Sequence, residues 1–212
     1  MGFGIYDLYR LFQPGLREKR TKLFLKLMHP EKLTRILDVG GYLNDWHQVP
    51  IESPITFLNL SHPKVDREIP ERYTCVVGDA RKMEFPDRSY DIIFSNSVIE
   101  HVGSYADQQQ FANEMRRVGK RYFVQTPYRW FFIEPHFVTV FVHFLPWRFA
   151  RRIIRYCSFR GLFRSGDSVD VNDLASELRL LSIREMRALF PDAEIHREKW
   201  FGFTKSLIAV RK

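Results

Sequence analysis

Cysteine is nearly absent, with Cys75 and Cys157 the only two in 212 residues. One lies in an apolar run and the other in a basic run, and neither belongs to a Cys-x-x-Cys or Cys/His spacing. A disulfide framework and a metal site of zinc type are therefore not expected, which fits a reducing compartment. No uncharged apolar run reaches the ~20 residues needed to span a bilayer. The opening Met1-Gly-Phe-Gly-Ile-Tyr-Asp7 lacks the basic stretch and apolar core of a secretion signal. Tyr6 stands where a myristoylated Gly2 would need Ser or Thr. The expectation is a cytoplasmic protein, with peripheral contact at the inner face of the membrane left open. Internal repeats, low-complexity segments and linkers are also missing. Acidic residues are in the minority, 25 against 33 Lys and Arg, giving a formal net charge of +8. That charge favours an anionic partner (nucleic acid, acidic lipid or a phosphorylated substrate) without choosing among them.

What is present reads as one α/β domain over 1–212, with 45% apolar and 27% charged residues. An N-terminal helical segment occupies 1–30: Leu8, Leu11, Phe12, then Leu23, Phe24, Leu27 and Met28 recur at helical spacing, and Pro14-Gly15 divides them. The basic cluster Arg17, Lys19, Arg20 and Lys22 reads as a solvated face. Five strand-like runs follow, at 35–39, 55–60, 73–77, 90–94 and 121–125. An amphipathic helix over 105–118 turns Phe111, Met115 and Val118 inward. Helix-sized connections between strands predict parallel pairing with crossovers. Ser182-Ile-Arg-Glu185 has the form of a capping box and opens a helix to Leu189. Ala193–Trp200 and Ser206–Val210 then suit an antiparallel edge. Between the fifth strand and that helix lies an insertion, 128–165, with a dense block of Phe and Val. Six arginines follow between Arg148 and Arg164, with no acidic residue among them.

The chain is organised around Arg35-Ile-Leu-Asp-Val-Gly-Gly41. A short apolar run stops at two glycines with Asp38 inside its end, and a backbone without Cβ atoms can approach a ligand closely. By Ser97 the order of motifs resembles class I S-adenosylmethionine (AdoMet)-dependent methyltransferases. The similar branch is bacterial and type 11-like, with an Asp-x-Gly-Gly glycine motif. The landmarks are Ile36-Leu-Asp-Val-Gly-Gly41, Gly78-Asp-Ala80, Phe85-Pro-Asp-Arg-Ser-Tyr-Asp-Ile-Ile-Phe94, Ser95-Asn-Ser-Val-Ile-Glu-His-Val102 and Gln125-Thr-Pro-Tyr128. The resemblance implies a Rossmann-like fold: a mostly parallel sheet flanked by helices, with an antiparallel C-terminal edge strand. It also implies AdoMet as cofactor, S-adenosylhomocysteine (AdoHcy) as product and no metal.

Under that resemblance Gly40 and Gly41 pass close to the methionine portion, and Asp38 accepts from its ammonium or from turn amides. Asn59 stands where an acidic residue usually holds the ribose hydroxyls, with Leu60 beside it. Asp79 takes the adenine amino proton, the Ala80 N–H reaches a ring nitrogen, and Asn96 and Ser97 border the methyl end. Tyr42 and Asn44 replace two further glycines of the usual pattern, so Tyr42 either covers the ligand or takes up part of its volume. Gly-x-Gly-x-x-Gly is absent, against a dinucleotide.

A hydroxyl acceptor would need a general base. His101 and Glu100 after strand four, and Glu134 and His136 after strand five, are the candidates, with His101 first. The bland alternatives are a helix-start histidine bonded to a carbonyl and a Glu134-Pro-His136 turn that only orders a lid. Gln125 either orients an acceptor or holds a loop. The segment 137–164 is either an interfacial helix contacting anionic lipid or a lid whose arginines reach water. The expected function is methyl transfer to an oxygen or nitrogen atom of a small-molecule or glycan-like, lipid-linked acceptor. The competing readings are an RNA methyltransferase, disfavoured because no RNA-binding module is recognisable, and a non-catalytic AdoMet-binding protein of the same fold.

Overall fold

The computed structural model describes residues 18–46, 49–62, 69–131, 133–134, 139–140 and 178–212. Strands that are apolar at nearly every position need cover on both faces, and β1 (Ile36–Val39) is buried at all of its positions. It lies between β2 (Ile55–Asn59) and β4 (Tyr90–Asn96), parallel to both, with Ile36 opposite Ile55 on one side and Ile92 on the other. β3 (Tyr73–Val77) continues the sheet beyond β2, and β5 (Gly119–Pro127) continues it beyond β4, again in parallel. A separate two-stranded hairpin joins β6 (Ile133–Glu134) to β7 (Thr139–Val140). β8 (Glu194–Trp200) and β9 (Phe203–Arg211) complete the large sheet antiparallel, in the order β3-β2-β1-β4-β5-β9-β8.

The mostly parallel sheet with an antiparallel C-terminal edge is thus the observed architecture. Two strands run further than their composition suggests, because neighbours supply pairing partners. Asn96 pairs with Gln125, which carries β4 past Phe94, and Thr126 and Pro127 pair with Leu207 and Ser206 of β9.

Alternate residues of the strands feed two cores. Leu37, Ile93, Tyr122 and Val124 pack under α3 (Tyr105–Val118) and the helix Ile183–Leu189. Ile36, Phe57, Ile92 and Phe123 face the other way, toward α1 (18–28) and the short α2 (Leu43–Trp46). We number the Ile183–Leu189 helix α4. Phe24 of α1 sits edge-on to Trp46, Phe94 and Phe123, with ring centroids 5.7, 5.2 and 5.6 Å away. Such edge contacts add to the area that burial removes from water.

Helix starts follow local chemistry. Ser104 and Asp107 exchange side-chain and backbone bonds at the head of α3, and Ser182 and Glu185 do the same for α4, the capping box expected there. Phe111, Met115 and Val118 are fully buried as their spacing predicts. Of the N-terminal helical segment the described part is 18–28, and most of the 128–165 insertion lies outside the described residues. Among the described residues no helix is long and apolar enough to cross a membrane.

Phe111 is 0% exposed and joins α3 to the sheet. Phe111→Ala is expected to lower unfolding free energy by about 3–5 kcal/mol in urea titrations.

Candidate active site

In an open parallel sheet, ligands bind beyond the carboxyl ends of the strands where the strand order reverses. Here that point lies between β1 and β4. The ends of β1, β2 and β3 surround a groove of ≈ 780 Å³ whose wall includes Gly40, Tyr42, Asn59, Asp79, Ala80 and His101. A smaller pocket of ≈ 80 Å³ lies against α1, lined by Arg20, Phe24, Asp38, Gly41, Trp46 and Asn96 among others. Gly40 lines both, so the two spaces meet at the glycine turn.

Both glycines of that turn are required by what surrounds them. Gly40 has φ +76°, a conformation that L side chains rarely adopt, and a Cβ there would collide with the Val98 methyls. Gly41 has no such backbone demand. A Cβ on it would instead overlap the carboxylate of Asp38, which folds back across the turn. Asp38 is 1% exposed and its Oδ2 accepts a 2.6 Å hydrogen bond from the indole N–H of Trp46. The turn therefore presents a buried carboxylate beside bare backbone.

The ends of β2 and β3 carry the next polar groups. The Asn59 side-chain amide donates to the Gly41 carbonyl at 3.1 Å, tying β2 to the turn and leaving its amide oxygen as an acceptor at the groove. Leu60, 78% exposed, stands on the rim. Asp79 accepts from Arg81 at both carboxylate oxygens, 3.0 Å from Nε and 2.7 Å from Nη2 at the closest. The Arg81 side-chain bond is the main cause that holds the Asp79 carboxyl below its usual range. Arg81 in turn reaches Asp107 at the start of α3. Ala80 and Tyr42 line the groove as well, and Tyr42 is exposed at its mouth, not inserted into the core.

Beyond β4, Asn96 lines the smaller pocket and Ser97 turns away with φ +58°. Such a backbone costs of order 1–3 kcal/mol for a residue with a side chain and persists only when held. Here Gln125 holds it: Ser97 N–H donates to the Gln125 carbonyl, and its hydroxyl donates to the Gln125 side chain, each at 3.0 Å. Gln125 is buried and so serves this loop.

The candidate bases separate. His101 ends a 3-10 turn (Ile99–His101) and lies exposed on the groove wall. Glu100, its neighbour, is 0% exposed, accepts from the Thr126 hydroxyl at 3.0 Å and lines neither cavity. Of Glu134 only the backbone is described, within β6, and His136 lies outside the described residues. Among the described residues no group of His, Cys, Asp and Glu side chains gathers as metal ligands.

Composition alone missed Arg20. Lys19 and Lys22 are exposed, as a solvated face requires, whereas the Arg20 side chain is only 10% exposed. It forms a two-pronged pair with Glu198 of β8, 3.3 Å from Nε and 2.8 Å from Nη2, and donates through Nη1 to the Asn96 amide oxygen. The signal was phase: Arg20 precedes the buried Phe24 by one helical turn and Met28 by two, so it shares their stripe. Trp46 was likewise legible only as an aromatic residue, not as the donor to Asp38.

Residues 39–122 match the family model described as "Methyltransferase domain". No curated protein matches the chain. Among solved structures, the YcgJ protein of Bacillus subtilis superposes with a TM-score of 0.54 at 17% identity, covering 86% of this chain and 72% of that one. An Aquifex aeolicus SAM-dependent methyltransferase gives 0.51 at 14% identity, covering 99% of both chains. A Haemonchus contortus phosphoethanolamine N-methyltransferase 2, in complex with S-adenosyl-L-methionine, gives 0.54 at 16% identity. The match covers 84% of this chain but only 38% of that enzyme. At such identities the likeness is one of fold.

Gly41→Ala is expected to destabilise the protein, and Asp38→Ala to absorb much of that loss. A double-mutant cycle in urea should show a coupling of at least about 0.5 kcal/mol between the two sites. The Asp79–Arg81 pair is half open to water and contributes no more than about 1 kcal/mol. Because the folded Asp79 carboxyl is held low, that contribution is present above the ordinary carboxylate range and lost as pH falls through the depressed value. Asp79→Asn should therefore be less stable than wild type at pH 7, and the gap should close in acid.

Proposed function

From the premise that this chain carries a methyltransferase domain over residues 39–122, we propose that it uses AdoMet to methylate an oxygen or nitrogen atom of a small-molecule or glycan-like, lipid-linked acceptor. The observation that carries this reading is the pair of cavities joined at Gly40, an open groove edged by acceptors and a small pocket holding a buried carboxylate. The residues fit the cofactor. Bare backbone at Gly40 and Gly41 leaves room that any Cβ would fill, and Asp38 offers a negative charge beside it.

When bound, AdoMet supplies a methyl group already activated by its sulfonium. The chain's own contribution is chiefly placement, which can account for up to ~7–11 kcal/mol of barrier lowering in well-oriented cases. Asp38, fixed by Trp46, holds the ammonium of the amino-acid end. The Asn59 amide oxygen accepts from a ribose hydroxyl, as a single neutral acceptor where a carboxylate would offer two charged ones. Asp79 keeps carboxylate lone pairs for the adenine amino group while Arg81 keeps it ionised, and the Ala80 N–H faces the ring. Asn96 borders the methyl end, while Ser97, which lines neither cavity, is turned aside and held by Gln125. His101, on the groove wall, takes the proton from the acceptor. Glu100 supports the loop from beneath through Thr126. The aromatic and basic composition of 128–165 suits an apolar, anionic acceptor better than a nucleic acid.

Calorimetry with AdoHcy tests the reading. Wild type should bind in the micromolar range, about −8 kcal/mol, and Asp79→Ala should weaken binding by about 1.5–3 kcal/mol, the range of a hydrogen bond to a charged group. Undetectable binding to wild type, or binding unaffected by the substitution, contradicts it.

A further inference from the structure

β8 and β9 are joined by a two-residue turn, Phe201-Gly202, between the paired Trp200 and Phe203. Both turn residues have positive φ, +46° and +83°, as a two-residue hairpin with the twist of its strands requires. Asparagine and glycine adopt that conformation readily, whereas a bulky side chain there is an outlier. Phe201 occupies it even so, 73% exposed, with Phe203 beside it 62% exposed. A residue that neither the turn nor burial favours is where a binding role is to be sought.

The pairing register places the turn. Pro127, the last residue of β5, lies opposite Ser206, and β9 begins beyond it. The hairpin therefore reaches roughly 13 Å past the carboxyl end of β5, at ~3.3 Å per residue. That is the edge from which the groove opens. Of the eight large apolar side chains exposed among the described residues, six lie at this edge: Tyr42, Leu60, Val77, Trp130, Phe201 and Phe203. Leu33 and Ile69 precede β1 and β3 and so lie at the opposite one. The surroundings of the turn are basic. No acidic residue occurs from Lys199 to Lys212 or from Gln125 to Trp130. Lys199 is exposed next to the turn, and the Arg129 guanidinium lies 5.5 Å from the centre of the Trp130 ring. The two segments are tied together, because Tyr128 N–H donates to the Lys205 carbonyl at 2.9 Å and Phe131 meets Trp200 edge-on. Glu198 is paired with Arg20 and only 9% exposed. A second copy adding a strand to β8 fits less well. That outer edge carries Glu194, Arg197 and Lys199 and an irregularity between Glu198 and Lys199, features that block edge pairing.

We propose that the β8–β9 turn, with Arg129 and Trp130 beside it, docks the protein on an anionic lipid bilayer, with the open edge of the sheet toward the membrane. Phe201, Phe203 and Trp130 enter the headgroup region, where aromatic rings are favoured, and Arg129 and Lys199 meet lipid phosphates. The bearing on the acceptor rests on the methyl-transfer reading: a lipid-linked acceptor reaches the groove without leaving the bilayer.

Vesicle flotation of the full chain tests the docking. Wild type should float with phosphatidylcholine vesicles that contain phosphatidylglycerol, less so at raised salt, and not with phosphatidylcholine alone. Phe201→Asn installs a residue the turn prefers, so thermal stability should be at least that of wild type. Its vesicle affinity should nevertheless fall about 10-fold or more, as for one large apolar side chain withdrawn from lipid. Phe203→Ser and Lys199→Glu should each weaken flotation as well. If wild type does not float, or if Phe201→Asn and Phe203→Ser float as wild type does, the proposal is overturned. It is overturned also if Phe201→Asn leaves flotation unchanged but converts a dimer to a monomer in sedimentation, since the surface then joins two copies. AdoHcy affinity should be the same in wild type and Phe201→Asn. Failure of wild type to bind AdoHcy would sink the methyl-donor reading and leave the docking result standing.

Discussion

The structure depends on where one carboxylate is put. Asp38 stands one residue before the end of β1, is removed from water, and folds across a turn that tolerates it only because Gly41 has no side chain. A buried charge is costly unless it is paired or hydrogen-bonded, and the indole of Trp46 supplies a bond to it. That bond also fixes α2, within the first crossover, against the aromatic cluster of Phe24, Phe94 and Phe123. The turn, the crossover helix and the inner face of α1 thus share one constraint. Relaxing it would disturb both cavities, because Gly40 forms part of each.

Around this point the sheet acts as a frame. Parallel pairing of β1 with β2 and β4 brings Asn59 and Asn96 to the same edge as the glycine turn, and β3 adds Asp79 beside them. The antiparallel strands contribute in a different way. β9 lengthens β5 until Gln125 can hold Ser97 in its unfavourable backbone conformation, and β8 places Glu198 against Arg20. The stretch that matches the methyltransferase-domain model, 39–122, ends before these edge strands begin, yet Glu198 of β8 holds the Arg20 side chain that lines the small pocket.

Much of this was legible in the sequence for definite reasons. Apolar runs ending in Gly or polar residues gave the strands, period-3.6 spacing placed Phe111, Met115 and Val118 inward, and Ser182 with Glu185 marked the start of α4. What was illegible depended on tertiary partners. Arg20 sits in a run of basic residues that charge alone assigns to solvent, and only its phase with Phe24 and Met28 betrays its burial. Glu100 and His101 are adjacent in sequence but go to the core and to the groove, because Thr126 of β5 lies beneath one of them. Asn59 reads as a weakened ribose ligand, while the structure shows its amide also ties the turn to β2. The aromatic and basic insertion, read as lid or interfacial helix, lies largely outside the described residues.

The central claim is that the cofactor straddles Gly40, with its amino-acid end in the small pocket beside Asp38 and its nucleoside in the groove between Asn59 and Asp79. A crystal structure of the AdoHcy complex tests it most directly. The account predicts the ammonium at Asp38, the ribose at Asn59 and the adenine amino group at Asp79, with α1 still seated over the pocket. A ligand lying wholly in the groove, with the small pocket empty and Asp38 untouched, would contradict it.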